Sequence, residues 1–238
     1  MVRRATGFFA FGSEWQACAR PSRSGVSATP GRRRAFDVTR AARLRELLAR
    51  RPPGRLLDVG CYDGQLTRAV VTGSDTVVGL DVTFSALRAA ARRSLLPVRA
   101  QGEAPLPFAS GTFATVLAAE VIEHVFDTER VLAELARVLR PGGWLVVTMP
   151  NLVALSGRAR LLVGQSPHNI EFDASPGTSG HIRYFTFDTL EMLLRRVGLR
   201  PLGRWTNVVH FSVVGSSELV GRLRPSLGHT IISLAMKS

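Results

Sequence analysis

The sequence predicts a doubly wound α/β domain, with a mostly parallel sheet of about seven strands and an antiparallel strand at its C-terminal end. Three observations carry that expectation. Short β-rich apolar runs alternate with helical segments over residues 36 to 238. The first run, Leu56-Leu57-Asp58-Val59, enters a glycine turn, Gly60-Cys61-Tyr62-Asp63-Gly64, where glycine lets the backbone turn tightly and approach a ligand. Asp81 then follows Gly60 by 21 positions at the end of the second run. An acidic side chain about 20 residues beyond such a turn accepts hydrogen bonds from a ribose diol, so the spacing points to a nucleotide-type cofactor. The G-x-G-x-x-G of a dinucleotide site is not present; the pattern is Asp58-x-Gly60-x-x-x-Gly64.

Taken in order, the elements begin with an amphipathic helix over residues 38 to 50, with Leu44, Leu47 and Leu48 spaced three to four apart. Strands are expected at 55 to 59, 76 to 80, 97 to 100, 114 to 119 and 144 to 148. Between them lie helices at 65 to 72, 84 to 93 and 127 to 139. The last of these packs Val131, Leu132, Leu135, Val138 and Leu139 and stops at Pro141-Gly142-Gly143. A helix at 186 to 197 and strands at 200 to 206 and 230 to 236 complete the sheet. A ligand crevice should open at the carboxyl ends of the parallel strands.

Charge is unevenly placed. The chain carries 31 basic and 18 acidic residues, but residues 1 to 55 hold 13 arginines against Glu14, Asp37 and Glu46, which is +10 of the net +13. A nucleic-acid reading is therefore confined to the N-terminal tail, since clustered cations bind phosphate and release counterions. Only Lys237 is a lysine, an arginine bias that genomic base composition alone can produce. Residues 1 to 35, with Pro21, Pro30 and the run Arg32 to Arg34 and no periodic apolar face, read as a disordered tail. Phe8, Phe9 and Phe11 are too short a patch for a signal-peptide core, and no run reaches the roughly 18 apolar residues of a membrane span. A cytoplasmic location is the expectation. Cys18 and Cys61 read as thiols rather than as a disulfide or a zinc pair.

Five blocks in register resemble class I S-adenosylmethionine-dependent methyltransferases, of the ubiquinone-pathway-like group. These are Leu56 to Leu66, Gly79 to Val82, Gly102-Glu103-Ala104-Pro105-Leu106-Pro107-Phe108, Phe113 to Val125, and Leu139 to Gly143. The resemblance implies a Rossmann-like fold and S-adenosyl-L-methionine as co-substrate. Residue by residue it implies cofactor contacts at Asp58, Gly60, Cys61, Gly64, Asp81, Val82, Glu103 and Glu120, with Asp58 and Gly60 shaping the loop at the methionine end. Asp81 would hold the ribose, Val82 would lie against adenine and Glu103 near its amino group. Tyr62 stands where the family usually has a further glycine and would be strained at positive φ; Ala114 stands where it commonly has aspartate.

Glu120, Glu123 and His124 stand where the fourth strand ends, and His181 follows in Gly180 to Thr186. Two carboxylates and two imidazoles suit Mg²⁺, Mn²⁺ or Zn²⁺, which would lower the pKa of a hydroxyl acceptor. A similar Glu-x-x-Glu-His occurs in ubiquinone-pathway O-methyltransferases and in small-RNA 2′-O-methyltransferases. From sequence the plainer reading is favoured: no metal is held, Glu123 caps or salt-bridges the helix, and His124 packs beside the cofactor or serves as general base; the catalytic candidates are His124 first, then His181, with Glu123. Residues 151 to 185 are longer than an ordinary connection and read as a lid that selects the acceptor. A short amphipathic helix would use Leu152, Leu155, Leu161, Leu162 and Val163, and Arg183 and Tyr184 would address an acidic or sugar-like acceptor. The expected function is methyl transfer to a small molecule or glycan, on oxygen. The alternatives are a metal-assisted RNA 2′-O-methyltransferase using the arginine-rich tail and a non-catalytic scaffold. Neither the acceptor nor the oligomeric state is legible.

Overall fold

A computed structural model describes residues 30–73, 76–171, 180–211 and 215–238. Most of the tail, Cys18 among it, and residues 172–179 of the expected lid lie outside the described residues. Helix α1 (Pro30–Leu48) starts inside the segment read as tail. It is followed by β1 (Leu56–Val59), α2 (Gln65–Val70), β2 (Val77–Asp81), α3 (Phe84–Arg92), β3 (Leu96–Arg99) and β4 (Phe113–Ala119). A 3-10 turn (Ile122–His124) leads to α4 (Thr128–Val138) and β5 (Leu139–Pro150). Then come α5 (Leu155–Leu162), α6 (Phe187–Arg196), β6 (Leu199–Trp205), β7 (Val209–Phe211), β8 (Gly215–Ser217), α7 (Glu218–Leu223) and β9 (Thr230–Lys237).

Seven strands form one sheet in the order β3-β2-β1-β4-β5-β9-β6. The first five are parallel, and β9 runs antiparallel between β5 and β6. A strand buried on both faces sends alternate side chains to opposite layers. Leu57, Val59, Val116, Ala118, Leu145 and Val147 accordingly meet α4 and α6 in one core, while Leu56, Leu117 and Val146 meet Leu44, Leu48, Val70 and Leu87 of α1, α2 and α3 in the other. The Asp127 carboxylate caps α4 by accepting from Arg130 N at 3.0 Å, and Thr186 and Thr189 form a reciprocal capping box at α6.

Besides the early start of α1, the structure differs from the expectation in three places. Strand β5 reaches back to Leu139, because a register shift between Phe113 and Thr115 lets Leu139 pair with Phe113 ahead of the glycine turn. The β7–β8 ribbon and α7 were not expected; their three- to six-residue spans are too short to show a period. Helix α5 exists, yet Leu161, Leu162 and Val163 at its end face solvent. Because β1, β2, β4 and β5 are parallel, the segments following Val59, Asp81, Ala119 and Pro150 share one edge of the sheet. Strand order reverses between β1 and β4, which is where a crevice opens in a doubly wound sheet.

Candidate active site

The turn after β1 is held by the neighbouring strand. Gly60 N and Cys61 N both donate to Leu80 O, at 2.8 and 3.1 Å. Gly60 has φ +74, and a Cβ there would sit 2.6 Å from Val121 Cγ2, so the turn demands glycine on both conformational and steric grounds. Tyr62 adopts φ +47, the left-handed region, as expected of its position. Its N–H donates to Asp81 Oδ2 at 2.9 Å, and Thr83 N donates to Oδ1 at 2.8 Å. Each carboxylate oxygen has two lone pairs, so Asp81 is fixed in place while keeping acceptor capacity for a ribose diol. Gly64 is the residue from which α2 starts, and Val82 follows Asp81, half-buried.

Asp58 is buried and accepts a 2.5 Å hydrogen bond from Thr67 Oγ1, joining β1 to α2. Burial pushes its carboxyl up to about 7 against the Thr67 hydrogen bond, with a further rise from the Asp81 charge. Cys61 contributes backbone to the turn, whereas its thiol packs into the core on the α1–α3 side. Burial pushes that thiol up, followed by the charges of Asp58 and Asp81. Glu103 Oε1 accepts from Phe126 N at 2.6 Å, tying the segment after β3 to the loop after β4.

Glu120 directly follows β4 at φ +56, a left-handed conformation for a residue with a side chain. Its N–H donates to Thr148 O, and Oε1 accepts from Thr148 Oγ1 at 2.8 Å and pairs with Arg40 Nη1 of α1 at 3.0 Å. Glu120 is thus engaged with Arg40 and Thr148 and stands apart from the group that Glu123, His124 and His181 form. In that trio the candidate ligand atoms lie within 4.8 Å of one another.

Glu123 is 1% exposed, and neither of its carboxylate oxygens has a hydrogen-bond partner among the described residues. Among the described residues it neither caps a helix nor pairs with arginine, unlike the plainer sequence reading. Oε1 instead faces His124 Nε2 at 3.9 Å and His181 Nε2 at 4.0 Å. Burial, then the Glu120 charge, holds the Glu123 carboxyl well above the usual range. Burial also lowers His124, against a hydrogen bond to Gly180 O. His124 Nδ1 is 3.0 Å from that carbonyl, which can only accept, so Nδ1 carries the proton and the Nε2 lone pair turns toward Glu123.

His181 reaches His124 through backbone. Ile182 N and Arg183 N both donate to Glu123 O at 3.0 Å, and the two rings lie 4.9 Å apart. His181 N donates to Glu171 Oε2, while the Tyr184 hydroxyl accepts from Glu171 N and lies within hydrogen-bond reach of His181 O. Arg183 donates through Nε and Nη2 to Phe126 O. Arg183 and Tyr184, expected to address an acceptor, therefore hold the loop that presents His181.

Residues 32–202 match the profile of a family described as a methyltransferase domain. The chain belongs to this methyltransferase-domain family. S-adenosylmethionine is the co-substrate of such methyltransferases, in keeping with the glycine turn and Asp81. The chain is 30% identical over 154 residues to the human mitochondrial ubiquinone biosynthesis O-methyltransferase, covering 61% of this chain and 41% of that protein. It is 28% identical to the 27-O-demethylrifamycin SV methyltransferase of Amycolatopsis mediterranei, covering 67% and 58%. The chain thus spans about two fifths to three fifths of the length of these relatives. A solved S-adenosylmethionine-dependent methyltransferase of Thermotoga maritima, named as a possible histamine N-methyltransferase, shares the fold at TM-score 0.62 and 22% identity, covering 94% of this chain and 100% of that one.

Arg40, Thr148 and Asn151 are the candidate-site neighbours to which sequence reading gave no role. Asn151 Nδ2 donates to Ser226 O and Gly228 O, fastening the C-terminal segment to the end of β5. Arg40 lay among many arginines and had no distinguishing spacing. A polar residue directly after the apolar end of β5 was the one available signal for Asn151.

Proposed function

We propose that this chain transfers a methyl group from S-adenosylmethionine to a hydroxyl oxygen of a small-molecule or glycan acceptor, beside a cation held by Glu123, His124 and His181. The donor half rests on the glycine turn and Asp81. The O-methyltransferase names of the human and Amycolatopsis relatives support oxygen as the acceptor atom. The observation that carries the acceptor half is the buried Glu123 carboxylate, with no hydrogen-bond partner among the described residues, facing two imidazole Nε2 atoms.

A buried carboxylate without a partner is costly, and a cation removes that cost. Glu123, His124 and His181 would hold a divalent ion through one carboxylate and two imidazole donors. When bound there, a divalent ion would supply positive charge that lowers the pKa of an acceptor hydroxyl. The chain orients the donors: His124 is fixed by Gly180 O, a backbone partner of the kind that sets the tautomer of ligating histidines, and His181 is fixed through Glu171. Glu120 keeps Arg40 beside the end of β4, and Asp81 holds the ribose, so that donor and acceptor meet across the β1–β4 crevice. In-line positioning of a sulfonium methyl and an oxygen nucleophile supplies much of the rate.

The test is a Mn²⁺ titration of the purified full chain by calorimetry, followed by methyl transfer from labelled S-adenosylmethionine to a panel of phenols and sugars with and without chelator. One bound equivalent that Glu123→Gln and His181→Ala remove, with transfer that chelation stops, is the expected result. Transfer indifferent to chelation overturns the cation and leaves His124 Nε2 as general base. No transfer to any hydroxyl overturns the oxygen acceptor.

A further inference from the structure

Helix α6 turns Phe187, Leu190 and Leu194 into the core and presents a charged stripe outward. Asp188, Met192 and Arg196 recur at every fourth position, with Glu191 and Arg195 beside them, so the five share one side of the helix. Together they line a surface groove of about 540 Å³. Met192, in the middle of α6, is 48% exposed, and the side chains of Asp188 and Arg196 near its two ends are 82% and 54% exposed. Contacts within the chain set their directions. Arg204 of β6 lies over the Phe187 ring and donates to Asp188 Oδ1 at 2.7 Å and to Glu191 Oε1 at 2.6 Å, while Arg196 Nη1 lies 3.5 Å from Glu129 Oε2 of α4. A carboxylate offers about four lone-pair sites and a guanidinium five N–H donors, so both ends of the stripe keep capacity for a further partner.

We propose that this stripe docks on the same stripe of a second copy of the chain, the two α6 helices antiparallel about a two-fold axis at Met192. In such an interface residue i meets residue j and j meets i. Asp188 and Arg196 lie four residues to either side of Met192, so the axis sets Asp188 of each copy against Arg196 of the other. Met192, flexible and polarizable, is then buried against its own counterpart. Charge decides the occupant. Acids in the first half of the helix and arginines in its last turn complement an antiparallel copy, whereas a surface of either single sign would meet like charge at one end. A ten-residue helix is about 15 Å long, which places the contact at the small end of specific interfaces and the dissociation constant on the order of tens of micromolar. The interface lies on the helix that directly follows the His181 loop, and the proposal stands independently of the chemistry at Glu123.

Sedimentation velocity of the full chain between about 1 and about 200 µM tests this. The wild type should pass from monomer to dimer across that range. Asp188→Arg and Arg196→Asp each set like charges across the axis and should remain monomeric. An equimolar mixture of these two variants restores opposite charges at both ends of the stripe and should recover the wild-type dimer, which also verifies that each variant folds. Met192→Glu, at an exposed site, sets two carboxylates together at the axis and should weaken self-association on the order of tenfold. A wild type that stays monomeric at about 200 µM would overturn the proposal. So would a dimer that Met192→Glu and both charge reversals leave intact, or reversed variants with unchanged circular dichroism spectra that stay monomeric when mixed.

Discussion

Replacing Asp58 with asparagine removes a buried titration from the fold. The carboxyl is raised from 3.8 to about 7, chiefly by burial, so the folded chain holds its proton more than about a thousandfold more tightly than the unfolded chain, worth on the order of 4 kcal/mol. A raised folded-state pKa means that the stability Asp58 contributes is fully present below 3.8 and is lost as pH rises through 7. The cofactor-free wild type should lose stability relative to Asp58→Asn across that window, because asparagine keeps an acceptor for Thr67 Oγ1 but cannot ionise. Between about pH 5 and about pH 8.5 the difference between the two proteins should change by roughly 2 to 3 kcal/mol in favour of the variant. Urea denaturation at the two pH values reads this directly. Parallel pH dependences would show that Asp58 is ionised in the fold and that the backbone of the glycine turn, not burial, governs it.

Gly79 of β2 has no room for a methyl group: a Cβ would lie 2.7 Å from Cys61 Sγ and 2.9 Å from Leu95 Cδ2. Gly79→Ala should cost about 1 to 3 kcal/mol in chemical denaturation, and adding Cys61→Ala should recover part of it. Tyr62→Gly should relieve left-handed strain of about 1 kcal/mol, offset in part by glycine's freer unfolded chain; its melting temperature should exceed that of Tyr62→Ala, which keeps the strain. Tyr184→Phe removes the hydroxyl that joins Glu171 to His181 and should cost about 1 kcal/mol of stability, with weaker Mn²⁺ binding in the same titration as Glu123→Gln.

Three strands of the parallel half, β1, β2 and β4, were legible as apolar runs closed by glycine or an acid, at Val59-Gly60, Leu80-Asp81 and Ala119-Glu120. The strain at Tyr62 was legible too, since the turn requires positive φ at a position of known register. The meeting of His124 and His181 was not. It depends on Ile182 and Arg183 donating backbone hydrogen bonds to Glu123 O, a contact independent of side-chain identity and therefore without a sequence pattern. The same limit hid the β7–β8 ribbon, and the exposure of Leu162 ran against the inward face that amphipathic spacing implies. Glu120 was read as one of four possible ligands because it lies three residues before Glu123; only the fold shows it taken by Arg40 and Thr148.

Calorimetric titration of S-adenosylhomocysteine into the full chain, beside Asp81→Ala, tests the central claim of a methyl-donor site most directly. Saturable one-to-one binding, weakened in the variant by about 2 to 3 kcal/mol through loss of a charge-assisted ribose contact, is the predicted result. No binding to the wild type, or equal binding by both proteins, would contradict it.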